Sequence, residues 1–200
     1  LQELLKANIP IDASKAASIL RNRKGVGGAE LGLANEMAIN QFIAHHSVIF
    51  QPEKKLMWVS TSPWQCGKYV AYDLNRIFSD SIDFNHEIYT GDLTLPADSF
   101  LQQQEYQQLM AYKRLAPVLR KQIKKKERLD EQTLHAFQHA NPHFFYVYEL
   151  LGDYYHATGQ QDKALRNWKK ALLLPIPKRS ESERLSLIHI SEPTRLGMIS

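Results

Sequence analysis

FIAHHSVIFQPEKKLMWVS, running from Phe42 to Ser60, is the stretch on which the fold turns. Phe42 to Phe50 is rich in Phe, Ile and Val, LMWVS is a second such run, and the QPEKK between them is polar and carries Pro52. β-Branched and aromatic runs on either side of a proline-bearing polar turn predict a β-hairpin over residues 42–60. Side chains alternate across a strand. Phe42, Ala44, His46, Val48 and Phe50 then share one face, and Ile43, His45, Ser47 and Ile49 share the other. Both faces are largely apolar, whereas a sheet with one wet face alternates more cleanly. The pattern therefore predicts cover on both sides, as in a layered sandwich with helices outside. Such cover places the ribbon in a larger catalytic body, and a ribbon bare to water on one side, or wound as a helix, would take the enzyme assignment with it.

Composition is that of an ordinary globular chain: 200 residues, 44% hydrophobic, 23% charged, formal net charge +4. A core is within reach, and the small positive surplus does not by itself argue for nucleic acid. The single cysteine, Cys66, cannot form an internal disulfide. No apolar run approaches the roughly 20 residues of a membrane span. LQELLKANIP carries neither an initiator Met nor a signal peptide, so export of a longer parent stays open.

Upstream of the hairpin, IDASKAASILRNRKGVGG reads as a short helix. Asp12 or Ser14 caps it, Ala16, Ile19 and Leu20 form its apolar stripe, and Gly25, Gly27 and Gly28 end it. GKYVAYDLNRIF, downstream, fits strand or helix equally. Residues 1–95 thus form the sheet-bearing part. From 96 to 140 a helical connection is expected, with Leu101, Tyr106, Leu109, Tyr112 and Leu115 at helical spacing and Pro117 kinking or splitting it. From 141 to 180 two helices flank ATGQQD, with Gly159 as breaker and Gln161 or Asp162 starting the second.

Tyr148, Leu151, Gly152, Tyr155, Ala164, Trp168 and Ala171, with Pro175 beyond them, resemble one tetratricopeptide repeat, a helix–turn–helix unit of about 34 residues. Small Gly152 and Ala164 let the paired helices approach, and the larger residues fill the seam. One such unit cannot bury its own apolar face. It implies protein contact through the hairpin, or equally a plain helical cap.

NEMAINQFIAHHSVIFQPEKKLMWVSTSPWQCGKYVAYDL resembles the late part of the N-terminal nucleophile hydrolases. The likeness is to the branch of acyl-coenzyme A:6-aminopenicillanic acid acyltransferase and, more distantly, the choloylglycine hydrolases. It rests on HHSVIF, MWVS and SPWQCGKYVAYDL, with LPADSFL and the repeat-like end in support, and spans roughly residues 12–180. What the resemblance implies is an α+β chain: the C-terminal part of an αββα sandwich, followed by the α-helical repeat-like hairpin. A cysteine at the mature N-terminus would attack an amide through an acyl-enzyme, its own α-amino group acting as base. That nucleophile is expected upstream of residue 1. Asn40, His45 and His46 would then be the substrate-binding residues, the substrate a small-molecule amide or acyl compound, and no cofactor is expected.

Each candidate also has a plainer reading. Cys66 lacks a local base and orienter, which suits a partly buried, inert thiol. His45 and His46, adjacent on a strand, point to opposite sides and do not share a metal. One of them lines a pocket, or is a core histidine on a backbone carbonyl. Asn40 holds substrate or closes a turn. His135 and His139 have zinc spacing but Ala136 stands where the zinc-protease pattern wants Glu, so no metal is expected. Eight Lys or Arg lie between Lys113 and Arg128, with no aromatic among them to stack on bases, so a solvated helix face is expected rather than a nucleic-acid site. GVGG lacks the Lys–Ser/Thr pair of a phosphate loop.

The final LSLIHISEPTR, Leu185 to Arg195, matches residue for residue the in-frame translation of a transposon end and adapter used to prepare sequencing libraries. Residues 185–200 are expected to be non-native, and the chain a fragment at both ends. The competing reading is an edge strand. The competing function is a non-enzymatic protein-interaction module in which the repeat does the work and the sheet is scaffold.

Overall fold

The computed structural model describes residues 1–79, 85–178, 180, 182, 183, 185 and 186. The described chain is mixed α+β, with one three-stranded antiparallel sheet. It divides into two compact units: Leu1–Gly28 with Ala38–Gln103, and Ala29–Met37 with the chain from Gln104 onward.

The first unit holds helices α1 (Gln2–Ala7), α2 (Ala13–Leu20) and α3 (Leu74–Ile77). Its strands are β1 (Val48–Gln51), β2 (Leu56–Ser60) and β3 (Tyr69–Asp73), in the order β1-β2-β3. Asp12 is the cap of α2, its carboxylate accepting from the Lys15 backbone N–H at 2.8 Å. The β1–β2 turn is a 3-10 turn over Pro52–Lys54, closed by Lys55 at φ 52°. Register places Ile49 opposite Trp58 and Trp58 opposite Ala71. These residues and Tyr69 form one sheet face, on which Ala17 of α2 lies, with Ala13, Ala16, Leu20, Leu56 and Leu95 around the cluster. The outer edge of β3 is occupied too: Tyr69 and Leu95 exchange backbone bonds of 3.1 and 2.9 Å, and the Thr90 N–H donates to the Ala71 carbonyl.

Two expectations need correction. The hairpin begins at Val48, not Phe42. Phe42 sits at φ 54° and is buried between the rings of Trp64 and Phe100, with centroids 6.1 and 5.3 Å away. That aromatic pocket, not strand propensity, decides the backbone there. The cover is also one-sided. Val48, Phe50, Met57, Val59, Val70 and Tyr72 make the second sheet face, and none of the six is buried; Phe50 is 62% exposed. The argument from a ribbon covered on both faces therefore fails.

The second unit is helical: α4 (Gln104–Lys125), α5 (Glu131–Ala140), α6 (Phe145–Ala157) and α7 (Gln161–Leu172). Pro117 lies inside α4 without ending it, contrary to a split there. The break comes at Lys126, which has φ 57°. Asp130 starts α5, accepting from the Thr133 N–H at 2.7 Å. Of the eight basic residues from Lys113 to Arg128, all but Lys113 are exposed, as a solvated helix face requires. Tyr148, Leu151, Gly152, Tyr155, Ala164, Trp168 and Ala171 are all buried in the α6–α7 pair. Of the C-terminal stretch, residues 185 and 186 are helical, not strand; 187–200 lie outside the described residues.

Tyr112 stacks on Phe137 at 5.8 Å in this helical core, and burial pushes its hydroxyl well above the usual tyrosine range. An unfolded tyrosine loses its proton near pH 10, the folded Tyr112 at higher pH. Stability from this group is therefore complete below about pH 10 and is lost as pH rises toward the folded value. Tyr155 is raised as well, by burial and then by Glu131, so Tyr112 carries only part of the alkaline loss. Tyr112→Phe should leave neutral stability within about 0.5 kcal/mol and flatten the loss above about pH 10, read by circular-dichroism melts across that range. An unchanged alkaline slope would be the contrary result.

Candidate functional site

Asn40 is fully buried and its amide is committed on both sides. Its Oδ1 accepts from the Phe42 N–H at 3.0 Å. Its Nδ2 donates to the Trp64 carbonyl at 3.5 Å and to Cys66 Sγ at 3.3 Å. Its own N–H donates to the Asn22 carbonyl at 2.8 Å. Asn40 thus closes a turn and ties three separate segments together.

Cys66 lies at the other end of that amide. Burial raises its thiol above the ordinary cysteine value, partly opposed by the Asn40 hydrogen bond. The charged groups that face it are Asp98, Arg23 and Arg21. Asp98 is paired with Arg23 at 2.6 Å, so its carboxylate is engaged by the guanidinium rather than by the thiol. A thiol held up in this way is not a nucleophile at neutral pH. Cys66 in the folded chain should react with an aromatic disulfide reagent about a hundredfold more slowly than in denaturant, since reaction waits for local opening. Equal rates in both states would show the thiol to be accessible.

Arg21 fastens the loop that carries Cys66. Its Nη2 donates to the carbonyls of Gly67 at 2.6 Å and Pro96 at 2.9 Å, its Nε to Gln65 at 3.4 Å, and its guanidinium lies 5.0 Å from the Tyr69 ring centroid. The Tyr69 hydroxyl in turn meets the Ser47 hydroxyl, and Ser60 Oγ accepts from the Ser47 N–H at 2.7 Å. The sequence reading passed over Arg21, Arg23 and Asp98. No local signal marks them: Arg23 and Asp98 are 75 residues apart, and Arg21 and Gly67 are 46.

His45 and His46 are both exposed, on an irregular segment ahead of β1 rather than on a strand. The opposed orientation expected of neighbours on a strand does not apply to them. Asn40 faces inward while the histidines face water. His135 and His139 lie with ring centroids 3.9 Å apart on α5, and His139 Nδ1 donates to the His135 carbonyl at 2.9 Å. A surface cavity of about 380 Å³ is lined by Lys55, Leu74, Asn75 and Phe78, and offers no acid–base pair.

The remaining feature of the unit is its bare sheet face. Six side chains, Val48, Phe50, Met57, Val59, Val70 and Tyr72, present hydrocarbon and one phenol, without a formal charge. A solvated face of an antiparallel sheet is normally polar. Among the described residues no helix is long and apolar enough to cross a membrane. No family model, curated protein or solved structure matches the chain.

Proposed function

We propose that the sheet-bearing unit is half of the sandwich of a cysteine amide hydrolase or acyltransferase of the N-terminal nucleophile type, its nucleophile lying outside these 200 residues. The sheet carries helix α2 on one face and an uncharged apolar face on the other, which fits this reading only if a further layer covers the bare face in the whole protein. An outer helix on a sheet is the order of half an αββα body, the second sheet of which would stack on the bare face. Sheets stacked in this way pack about 10 Å apart through interdigitated apolar side chains. The resemblance carried by HHSVIF, MWVS and SPWQCGKYVAYDL points the same way.

The chemistry assigned to the whole protein is attack of a cysteine thiolate on an amide carbonyl. The tetrahedral oxyanion collapses, expelling the amine with a proton from the α-ammonium group. Water then opens the acyl-enzyme, or an incoming amine does so in acyl transfer. Cys66 takes no part, because it is buried with a raised proton affinity.

The test uses the complete reading frame and a panel of chromogenic amides. Amide turnover that alkylation abolishes is expected, and Cys66, being slow to react, should not confuse the result. Turnover that survives alkylation, or none at all, overturns the reading. The bare face has its own arm. Val59→Lys should leave the melting of the 200-residue chain unchanged, yet destabilise the complete protein by about 2 kcal/mol or more, because the charge is then buried. Equal melting of both complete proteins would show that nothing packs there.

A further inference from the structure

Residues Ala29–Met37 precede the sheet in sequence but belong to the helical unit. They are held there through the main chain of Leu33 and through the side chains of Leu31, Asn35 and Glu36. Asn141, at the junction of α5 and α6, accepts from the Leu33 N–H at 2.9 Å and donates to the Leu33 carbonyl at 2.7 Å. A single side-chain amide thus reads both backbone groups of one residue, as a neighbouring strand would. Gly32 has φ 77°, and a Cβ there would stand 2.5 Å from the Phe144 backbone nitrogen. Only glycine fits, on both counts.

The second hold lies past the end of α7. Asn35 is fully buried; its Nδ2 donates to the Leu31 carbonyl at 3.0 Å and to the Pro175 carbonyl at 3.1 Å. Its Oδ1 accepts from the Met37 N–H at 2.9 Å, which turns the segment outward. Leu31 is 2% exposed, and Lys178 pairs with Glu36 at 2.9 Å.

We infer that the α5–α6 junction and the exit of α7 form a peptide-docking notch, with Ala29–Met37 as its built-in ligand. The notch takes a turned peptide of Leu-Gly-Leu-Ala-Asn type, with positive φ at the glycine and at the alanine two residues on, glycine against Phe144, asparagine three residues on and an acidic residue toward Lys178. Because Asn141 reads main-chain groups, affinity comes from backbone geometry, and selection comes from the glycine and the buried leucine. This inference stands apart from the amide-hydrolase reading and needs no catalysis to be tested.

The experiment measures fluorescence anisotropy of a labelled nine-residue peptide, AELGLANEM, on three forms of the full chain. Wild type, with the notch filled, should bind weakly. Gly32→Val, whose own segment no longer fits, should bind at least about tenfold more tightly. Asn141→Ala added to Gly32→Val should remove at least about tenfold of that gain, the scale of two buried hydrogen bonds. Binding to Gly32→Val no better than to wild type overturns the proposal, as does indifference to Asn141. Hydrogen exchange on Asn141→Ala gives an independent reading. Amides of residues 31–35 should exchange at least about tenfold faster while those of α6 and α7 hold. If the helices lose protection together with the segment, or Gly32→Val loses its helices, the segment is ordinary core and the proposal falls.

Discussion

Gly152→Ala is expected to destabilise the helical unit by about 2 kcal/mol, against the direction that helix propensity alone would give. Alanine is favoured over glycine inside a helix by about 1 kcal/mol. Here the added methyl would land inside the van der Waals envelope of the Trp168 indole, against Cδ1, Nε1 and Cγ. The indole cannot slide away freely, because Trp168 is 2% exposed and its Nε1 donates to Asp153 Oδ1 at 3.0 Å. Overpacking of this kind costs about 3 kcal/mol, so the clash outweighs the propensity. Gly152→Val should cost more, since a branched side chain adds two more methyl groups to the same gap. Urea unfolding followed by hydrogen exchange on α6 and α7 reads the effect unit by unit, which a single two-state melt does not. A double-mutant cycle with Trp168→Leu should return a coupling of at least about 1 kcal/mol, because a smaller partner makes room for the methyl. A more stable Gly152→Ala protein would mean that the two helices are not in contact at this point.

Asn40→Ala should destabilise the sheet-bearing unit strongly, by about 3 kcal/mol or more. The variant removes the hydrogen bonds to the Phe42 N–H, the Trp64 carbonyl and Cys66 Sγ, each worth about 1 kcal/mol. Phe42 then loses the grip that holds it at φ 54° between Trp64 and Phe100. Asn40→Asp should be worse still, since it replaces a donor with a buried charge. His45→Ala and His46→Ala, at exposed positions, should each stay within about 0.5 kcal/mol of wild type. The contrast separates structure from chemistry. If the proposed amide turnover is found, loss of it with Asn40 would track unfolding, whereas loss with a histidine and no change in melting would mark a substrate contact. Thermal unfolding of the four variants in parallel decides this, and a fully stable Asn40→Ala would break the assignment of Asn40 as a clamp.

The two units were not equally legible. The α6–α7 pair was readable because its spacing is local: small residues where helices touch, large ones in the seam, a glycine between. The β1–β2 turn was readable for the same reason, with Pro52 and polar neighbours between two apolar runs. Where the reading failed, the deciding partner was distant. Phe42 has strand propensity, yet Trp64 and Phe100 take it out of the strand. Pro117 has the chemistry of a breaker, yet α4 continues through it, with Ala116 and Leu119 on either side both buried.

Sequence by itself determined the α6–α7 helices and the β1–β2 turn, because capping, propensity and periodicity act within a few residues. It left GKYVAYDLNRIF undecided and placed residues 42–47 in a strand they do not form. It also determined that the sheet has two apolar faces, since alternation fixes side-chain direction. Only the tertiary structure decided which face α2 covers, that Asn40 and Cys66 share one buried hydrogen bond, and that Ala29–Met37 leaves its sequence neighbours for the helices. Those choices depend on groups tens of residues apart competing for the same buried space, and nothing in a local pattern records which of them wins.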